Sequence, residues 1–134
     1  MNFSVRDYRN SDYLMLKLWW QGKKELAPEE NAFPKETTFI LENEGKPIVS
    51  ISVFLMNFKH VAWLDNLISN PIIMDRKLRH AAVEHLIRHV ESYLRDIGYK
   101  HAFCMAGDKR LSIRYNELGY RTTMTGVFTH LKEL

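Results

Sequence analysis

Hydrophobic and polar positions change period several times along the chain, and each change marks an element. Phe3 to Arg6 alternates apolar and polar residues, the period of a short strand. Ser11-Asp12 then supplies an N-cap, and Tyr13, Leu14, Leu16, Leu18, Trp19 and Trp20 follow at helical spacing, which predicts a first helix ending near Gly22. Lys23 to Glu36 holds two prolines and no clean period, and reads as a loop or a short helix plus loop. Thr37 to Glu42 is strand-like, Asn43-Glu44-Gly45-Lys46 is a hairpin turn, and Pro47 to Met56 is a strand apolar on both sides. Asn57 to His60 turns the chain, and Val61 to Ser69 returns as a third strand, completing an antiparallel meander.

After Pro71 the period becomes helical. Ala82, Val83, Leu86, Ile87, Val90, Tyr93, Leu94 and Ile97 make one apolar stripe, while Glu84 and Glu91 stand four residues before Arg88 and Arg95 on the outer face. Gly98 ends this helix, and His101 to Met105 reads as a strand parallel to Val61–Ser69, which makes a βαβ unit with a right-handed crossover. A shorter helix spans Asp108 to Leu118, closed by Gly119, and Tyr120 to Leu134 carries a final strand or hairpin. Neither a repeat nor a linker interrupts this order, so residues 1–134 are read as a single domain.

The join between the third strand and the long helix holds the chemistry. Arg76, Lys77 and Arg79 cluster where that helix begins. The first turn of a helix has backbone N–H groups without partners at the positive end of the macrodipole, and cations beside them favour an anion, most often phosphate. Composition sets the surroundings. A chain of 134 residues, 46% apolar, can bury one real core. Its net charge of +3 fits an anionic ligand but falls far short of a dedicated nucleic-acid binder. A single cysteine, Cys104, excludes an internal disulfide and points to a reducing cytoplasm; it reads as core packing in a buried strand. The polar N-terminus offers no signal-peptide core, and no apolar run reaches the roughly 20 residues of a membrane span.

The order of elements resembles the GNAT N-acetyltransferase superfamily over nearly the whole chain. The local matches are VRDYRNSD before the first helix, ENEGKPIVS at the hairpin, Leu64-Asp65-Asn66-Leu67 with Ser69-Asn70-Pro71, and Tyr115-Asn116-Glu117-Leu118-Gly119-Tyr120 against the family's Y-x-x-L-G-[FY]. The resemblance implies an α/β (α+β) fold whose mixed, mostly antiparallel sheet has about six to seven strands, a βαβ unit and flanking helices. It implies an acetyl-CoA-dependent N-acetyltransferase acting on a primary amine, with no metal, and a homodimer formed through edge strands. Leu67, Ile68 and Ser69 are expected to contact pantetheine through main-chain atoms. The diphosphate falls to the N–H groups of Arg76, Lys77, Leu78, Arg79, His80, Ala81 and Ala82, with Asp108 where an Asn is common. Tyr115 is expected as the acid toward the leaving thiolate and Asp65 as the base, with His60 and His130 as fallback bases.

One position departs from the family's pyrophosphate loop, [QR]-x-x-G-x-[GA]. In Arg76-Lys77-Leu78-Arg79-His80-Ala81 the central glycine is Arg79. Either a charge-assisted contact replaces the close backbone approach of a glycine, or the fold serves as a binding or structural module without catalysis. Other features carry plainer readings. His85 and His89 sit four apart on a polar, solvated helix face with no third ligand. Trp19 and Trp20 point differently, one toward the core and the other toward an acceptor pocket or a dimer interface. Glu25, Glu29 and Glu30 lie in the loop that borders the acceptor side in the family.

Overall fold

The computed structural model describes residues 1–57, 60–126, 130, 132 and 134. They form two compact units, Met1–Cys104 and Met105–Leu134. The first holds strands β1 (Phe3–Asp7), β2 (Thr38–Asn43), β3 (Lys46–Leu55), β4 (Val61–Ser69) and β5 (His101–Cys104), with helices α1 (Asp12–Gly22) and α2 (Arg76–Asp96). The second holds helix α3 (Lys109–Glu117). The sheet order follows the sequence, β1-β2-β3-β4-β5; all pairs are antiparallel except β4 with β5.

The meander forms because its turn and its alternation agree. Asn43 opposes Lys46, so Glu44 and Gly45 alone make the turn, both at positive φ (52° and 80°). That geometry matches the twist of the flanking strands. Side chains then alternate between two faces. Ile40 and Ile68 join Leu16, Trp19 and Trp20 of α1 with Tyr8 and Phe33 in one apolar cluster. Phe39, next to Ile40 in sequence, faces the other way and meets His89 and Tyr93 of α2 edge-on. The sheet is therefore layered between α1 and α2. Each fully buried aliphatic chain there, such as Leu41, Ile51, Leu86 or Ile87, contributes about 1.5–3 kcal/mol.

The fold class is the expected one, with corrections in detail. The described residues form five strands rather than six or seven. Of the expected last strand, residues 121–125 carry none, and Val127, Phe128, Thr129, Leu131 and Glu133 lie outside the described residues. Ser11 is already helical in its backbone and its side chain caps nothing. Asp12 instead ties the start of the helix to the preceding segment: it accepts Arg9's N–H (2.7 Å) and is clamped by Arg6 through two bonds (2.8 and 2.9 Å). Burial pushes the Asp12 carboxyl up, but Arg6 and the Arg9 N–H outweigh it and hold it below the usual range. Both Trp19 and Trp20 are buried, because the stripe α1 presents to the sheet is wide enough to take adjacent residues. The loop after α1 forms two 3-10 turns, Glu30–Ala32 and Lys35–Thr37. Cys104 is half-buried, since β5 is the last strand of the described sheet. On α2, Glu91 collects both Arg88 (2.9 Å) and Arg95 (3.9 Å).

Candidate active site

β4 changes character halfway along. From Ala62 to Leu64 it is paired on both edges, with Phe54 opposite Trp63 on β3 and Phe103 opposite Trp63 on β5. The pairing with β5 stops at Leu64–Cys104. Beyond it, Asp65–Ser69 has a strand neighbour on the β3 side only, among the described residues. In the same stretch the register slips: Ser52 opposes Asp65, but Ser50 opposes Ile68, so β4 holds one residue more than β3. Asn66 absorbs it at φ 54°, a left-handed conformation that Asn tolerates better than most residues. Its Nδ2 donates to Ser52 Oγ (3.2 Å), which is bonded to Thr38 Oγ1 (2.9 Å). The bulge is thus anchored to a buried hydroxyl pair. A bulge takes main-chain polar groups out of the regular ladder with β3, and the other edge of this stretch has no strand beside it among the described residues.

Asp65 sits at the start of this half. It is exposed, and its carboxylate accepts the Asn66 N–H (2.8 Å). Leu67 and Ser69 are partly buried, and Ile68 belongs to the core under α1.

The open half of β4 leads through Asn70–Met74 into the start of α2. Asp75 is the N-cap: its carboxylate accepts Leu78's N–H (3.2 Å) and its carbonyl accepts Arg79's (3.1 Å). Helical register sends the N–H groups of His80, Ala81 and Ala82 back to carbonyls of the first turn. The expected cradle of seven donors therefore contracts, for main-chain groups, to Arg76 and Lys77; those two N–H groups are left without a partner among the described residues.

A further cation reaches this corner from α1. Lys23 Nζ donates to Ser69 Oγ (2.8 Å). Gly22 packs so closely on the turn after β4 that an added Cβ would stand 2.8 Å from Pro71 Cγ. Although much of Lys23 is exposed, burial of its ammonium lowers its pKa; Glu25 opposes that and the charge of Arg79 adds to it. Lys23, Asp75 and Asn66 were not among the site residues drawn from the sequence. Asp75 carried a legible cap signal three residues before Leu78, and Asn is a frequent left-handed residue; nothing local marks Lys23.

Within the second unit, Asp108 caps α3 by accepting Leu111's N–H (2.8 Å). Tyr115 lies on α3, buried, its ring 5.3 Å from that of Tyr120. His60 precedes β4, at the end away from the bulge, where its carbonyl meets His101 Nδ1 (3.2 Å). His130 is exposed. His85 and His89 rest edge-on against Phe3 and Phe39, and no group of three metal-ligating side chains occurs among the described residues. Glu25, Glu29 and Glu30 are exposed. An open cavity of about 440 Å³ lies between residues 34–37 and 53–55, with Phe54 in its wall.

No family model and no curated protein sequence matches the chain. Solved structures do. N-acetylglutamate synthase from Neisseria gonorrhoeae, complexed with coenzyme A and N-acetyl-glutamate, superposes with a TM-score of 0.63 at 14% identity; the match covers 87% of this chain but only 28% of the synthase. Glucosamine-6-phosphate N-acetyltransferase from Arabidopsis thaliana gives 0.62 at 14% identity, over 98% of this chain and 100% of that one. A predicted acetyltransferase from Clostridium acetobutylicum, solved with acetyl-CoA, gives 0.69 at 10% identity over 96% of each chain. The fold is that of the GNAT acetyltransferases. No helix among the described residues is long and apolar enough to cross a membrane.

Proposed function

We propose that this chain is an N-acetyltransferase that moves an acetyl group from acetyl-CoA to a primary amine, within a ternary complex and without a covalent enzyme intermediate. One observation carries the reading: the half of β4 without a β5 neighbour is bulged and leads through a short turn to a helix start with two open N–H groups and four cations nearby. These residues fit coenzyme A. Two first-turn donors with Arg76, Lys77, Arg79 and Lys23 suit a diphosphate, and the one-sided edge of Leu67, Ile68 and Ser69 suits the amides of a pantetheine arm. Arg79 supplies charge where a glycine would give close approach.

When bound, acetyl-CoA supplies a thioester carbonyl open to attack. Asp65 takes the proton that leaves the acceptor's ammonium, directly or through water. A main-chain N–H on the open edge of β4 stabilises the tetrahedral oxyanion. The C–N bond forms in that tetrahedral species and the C–S bond breaks as it collapses; Tyr115 protonates the departing thiolate and regains its proton from the nitrogen, which loses its second hydrogen as the amide forms. The protein acts in the cytoplasm on this reading.

Calorimetric titration with acetyl-CoA and with free CoA tests it first. Micromolar binding is the expected result; none at millimolar cofactor would overturn the reading in favour of a fold kept for binding alone. Tyr115→Phe should lower turnover by about 10²-fold while leaving CoA affinity in place.

A further inference from the structure

Trp63 stands at the centre of an aromatic row that crosses three strands. Phe54 opposes it on β3 and Phe103 on β5, and the Trp63 and Phe103 rings lie 5.0 Å apart. Alternation fixes which face the row occupies. Val53 and Leu64 turn into the interior, fully buried, so Phe54 and Trp63 turn the other way. Ser52 opposes Asp65 one pleat further on, so the Asp65 carboxylate is on the same face as the row, two residues from Trp63. The row is partly open: Phe54 and Trp63 are half-buried and Phe103 is 38% exposed, which leaves aromatic surface for a ligand. Among the described residues no cation pairs with Asp65.

We propose that this row is the acceptor subsite, and that it selects a primary amine carrying an aromatic body on a short alkyl spacer. The inference rests on the acetyl-transfer reading, which places the reacting nitrogen at Asp65. Asp65 lies two strand steps from Trp63, about 7 Å along β4. An ammonium held by the carboxylate therefore reaches the indole with its attached group only if a short spacer joins the two. Stacking and edge contacts to Trp63 and Phe103 then recognise the ring, and an amine nitrogen near the indole face gains a cation–π contribution as well. Phe54 continues the row into the cavity beside residues 34–37, which leaves room for a substituent on the ring. A polyamine or an amino sugar presents polar groups to the same rings and leaves them without partners, which disfavours it.

The test uses phenethylamine, ethylamine and spermidine as probes. With saturating acetyl-CoA and a thiol-release assay, kcat/KM for phenethylamine should exceed that for ethylamine by about tenfold or more. Trp63→Ala should shrink that ratio, with Trp63→Phe restoring most of it; Phe103→Ala should act in the same direction. Equal rates for the three amines, or a ratio untouched in both variants, would overturn the subsite while leaving acetyl transfer standing. Binding is read separately without cofactor. The chain has three tryptophans, Trp19, Trp20 and Trp63, so three indole N–H resonances are expected, with Trp63 assigned through Trp63→Phe. Phenethylamine should move the Trp63 resonance and ethylamine should not. If it moves and no amine is acetylated, the subsite stands and the catalytic reading falls. If millimolar phenethylamine leaves it in place, the subsite falls.

Discussion

The two halves of β4 lie on one strand and do opposite things. Ala62–Leu64 is paired on both edges, and Ala62 and Leu64 are fully buried. Asp65–Ser69 is bonded on one edge, carries a bulge, and sets an exposed carboxylate at its start. Regular pairing satisfies every main-chain group and leaves nothing for a ligand to use. The irregular half has donors and acceptors to spare. Its irregularity is affordable because the first half, the hairpin and the two helices hold the sheet together.

Adjacent substitutions should separate the halves most sharply. Leu64→Ala removes a fully buried side chain and should cost about 3 kcal/mol of stability, read by denaturant unfolding. Asp65→Asn, one residue on, should change stability by no more than about 0.5 kcal/mol and lower acetyl transfer by about 10²-fold. If Asp65→Asn unfolds the protein as badly as Leu64→Ala, or leaves turnover untouched, the division of labour along β4 is wrong.

The bulge is the next point of attack. Asn66→Gly keeps the left-handed backbone open and gives up the bond to Ser52 Oγ, so it should retain most activity. Asn66→Val loses the same bond and sets a β-branched residue at φ 54°, which costs about 1–3 kcal/mol of strain or forces the bulge out. Turnover should then fall by about tenfold beyond the glycine variant, through loss of the main-chain donor. Equal rates in the two variants would show that the bulge shapes the strand without serving the reaction.

All of β4 was legible as a strand in the sequence, but the irregularity of its second half was not, for a physical reason. Alternation and apolar runs report burial, and burial is what pairs Val61–Leu64 with its neighbours and stacks α2 on Phe39. The stripe on α2 and the Glu44-Gly45 turn were readable on the same grounds. The end of the β4–β5 pairing, the extra residue at Asn66 and the contracted cradle at Arg76 and Lys77 depend on where two strands part and where a helix begins, and no residue period encodes either. Trp19 and Trp20 mislead in the same way: a helical wheel separates them, but the width of the buried stripe is set by what packs on α1. Lys23 is the clearest case. It comes to Ser69 across 46 positions, through the packing of Gly22 on Pro71.

Lys23 also gives the smallest and most specific effect. Its pKa is lowered by burial and by Arg79, against the pull of Glu25, so in the free protein it sheds its proton at lower pH than an ordinary lysine. An anion bound beside it favours the charged form, so binding and protonation are linked: affinity is full below the lowered pKa and weakens as pH rises through it. The expected gain from one partly solvated cation is about 1 kcal/mol, roughly fivefold in affinity. Calorimetry with CoA should therefore show Lys23→Ala binding about fivefold more weakly than the parent at neutral pH. The gap should close toward alkaline pH, because there the parent loses the same charge. CoA's own ionisations are common to both proteins and cancel in the comparison. A gap that stays constant across pH would mean that Lys23 acts by holding Ser69 and the end of α1 in place, and that the anion is gripped by α2 alone.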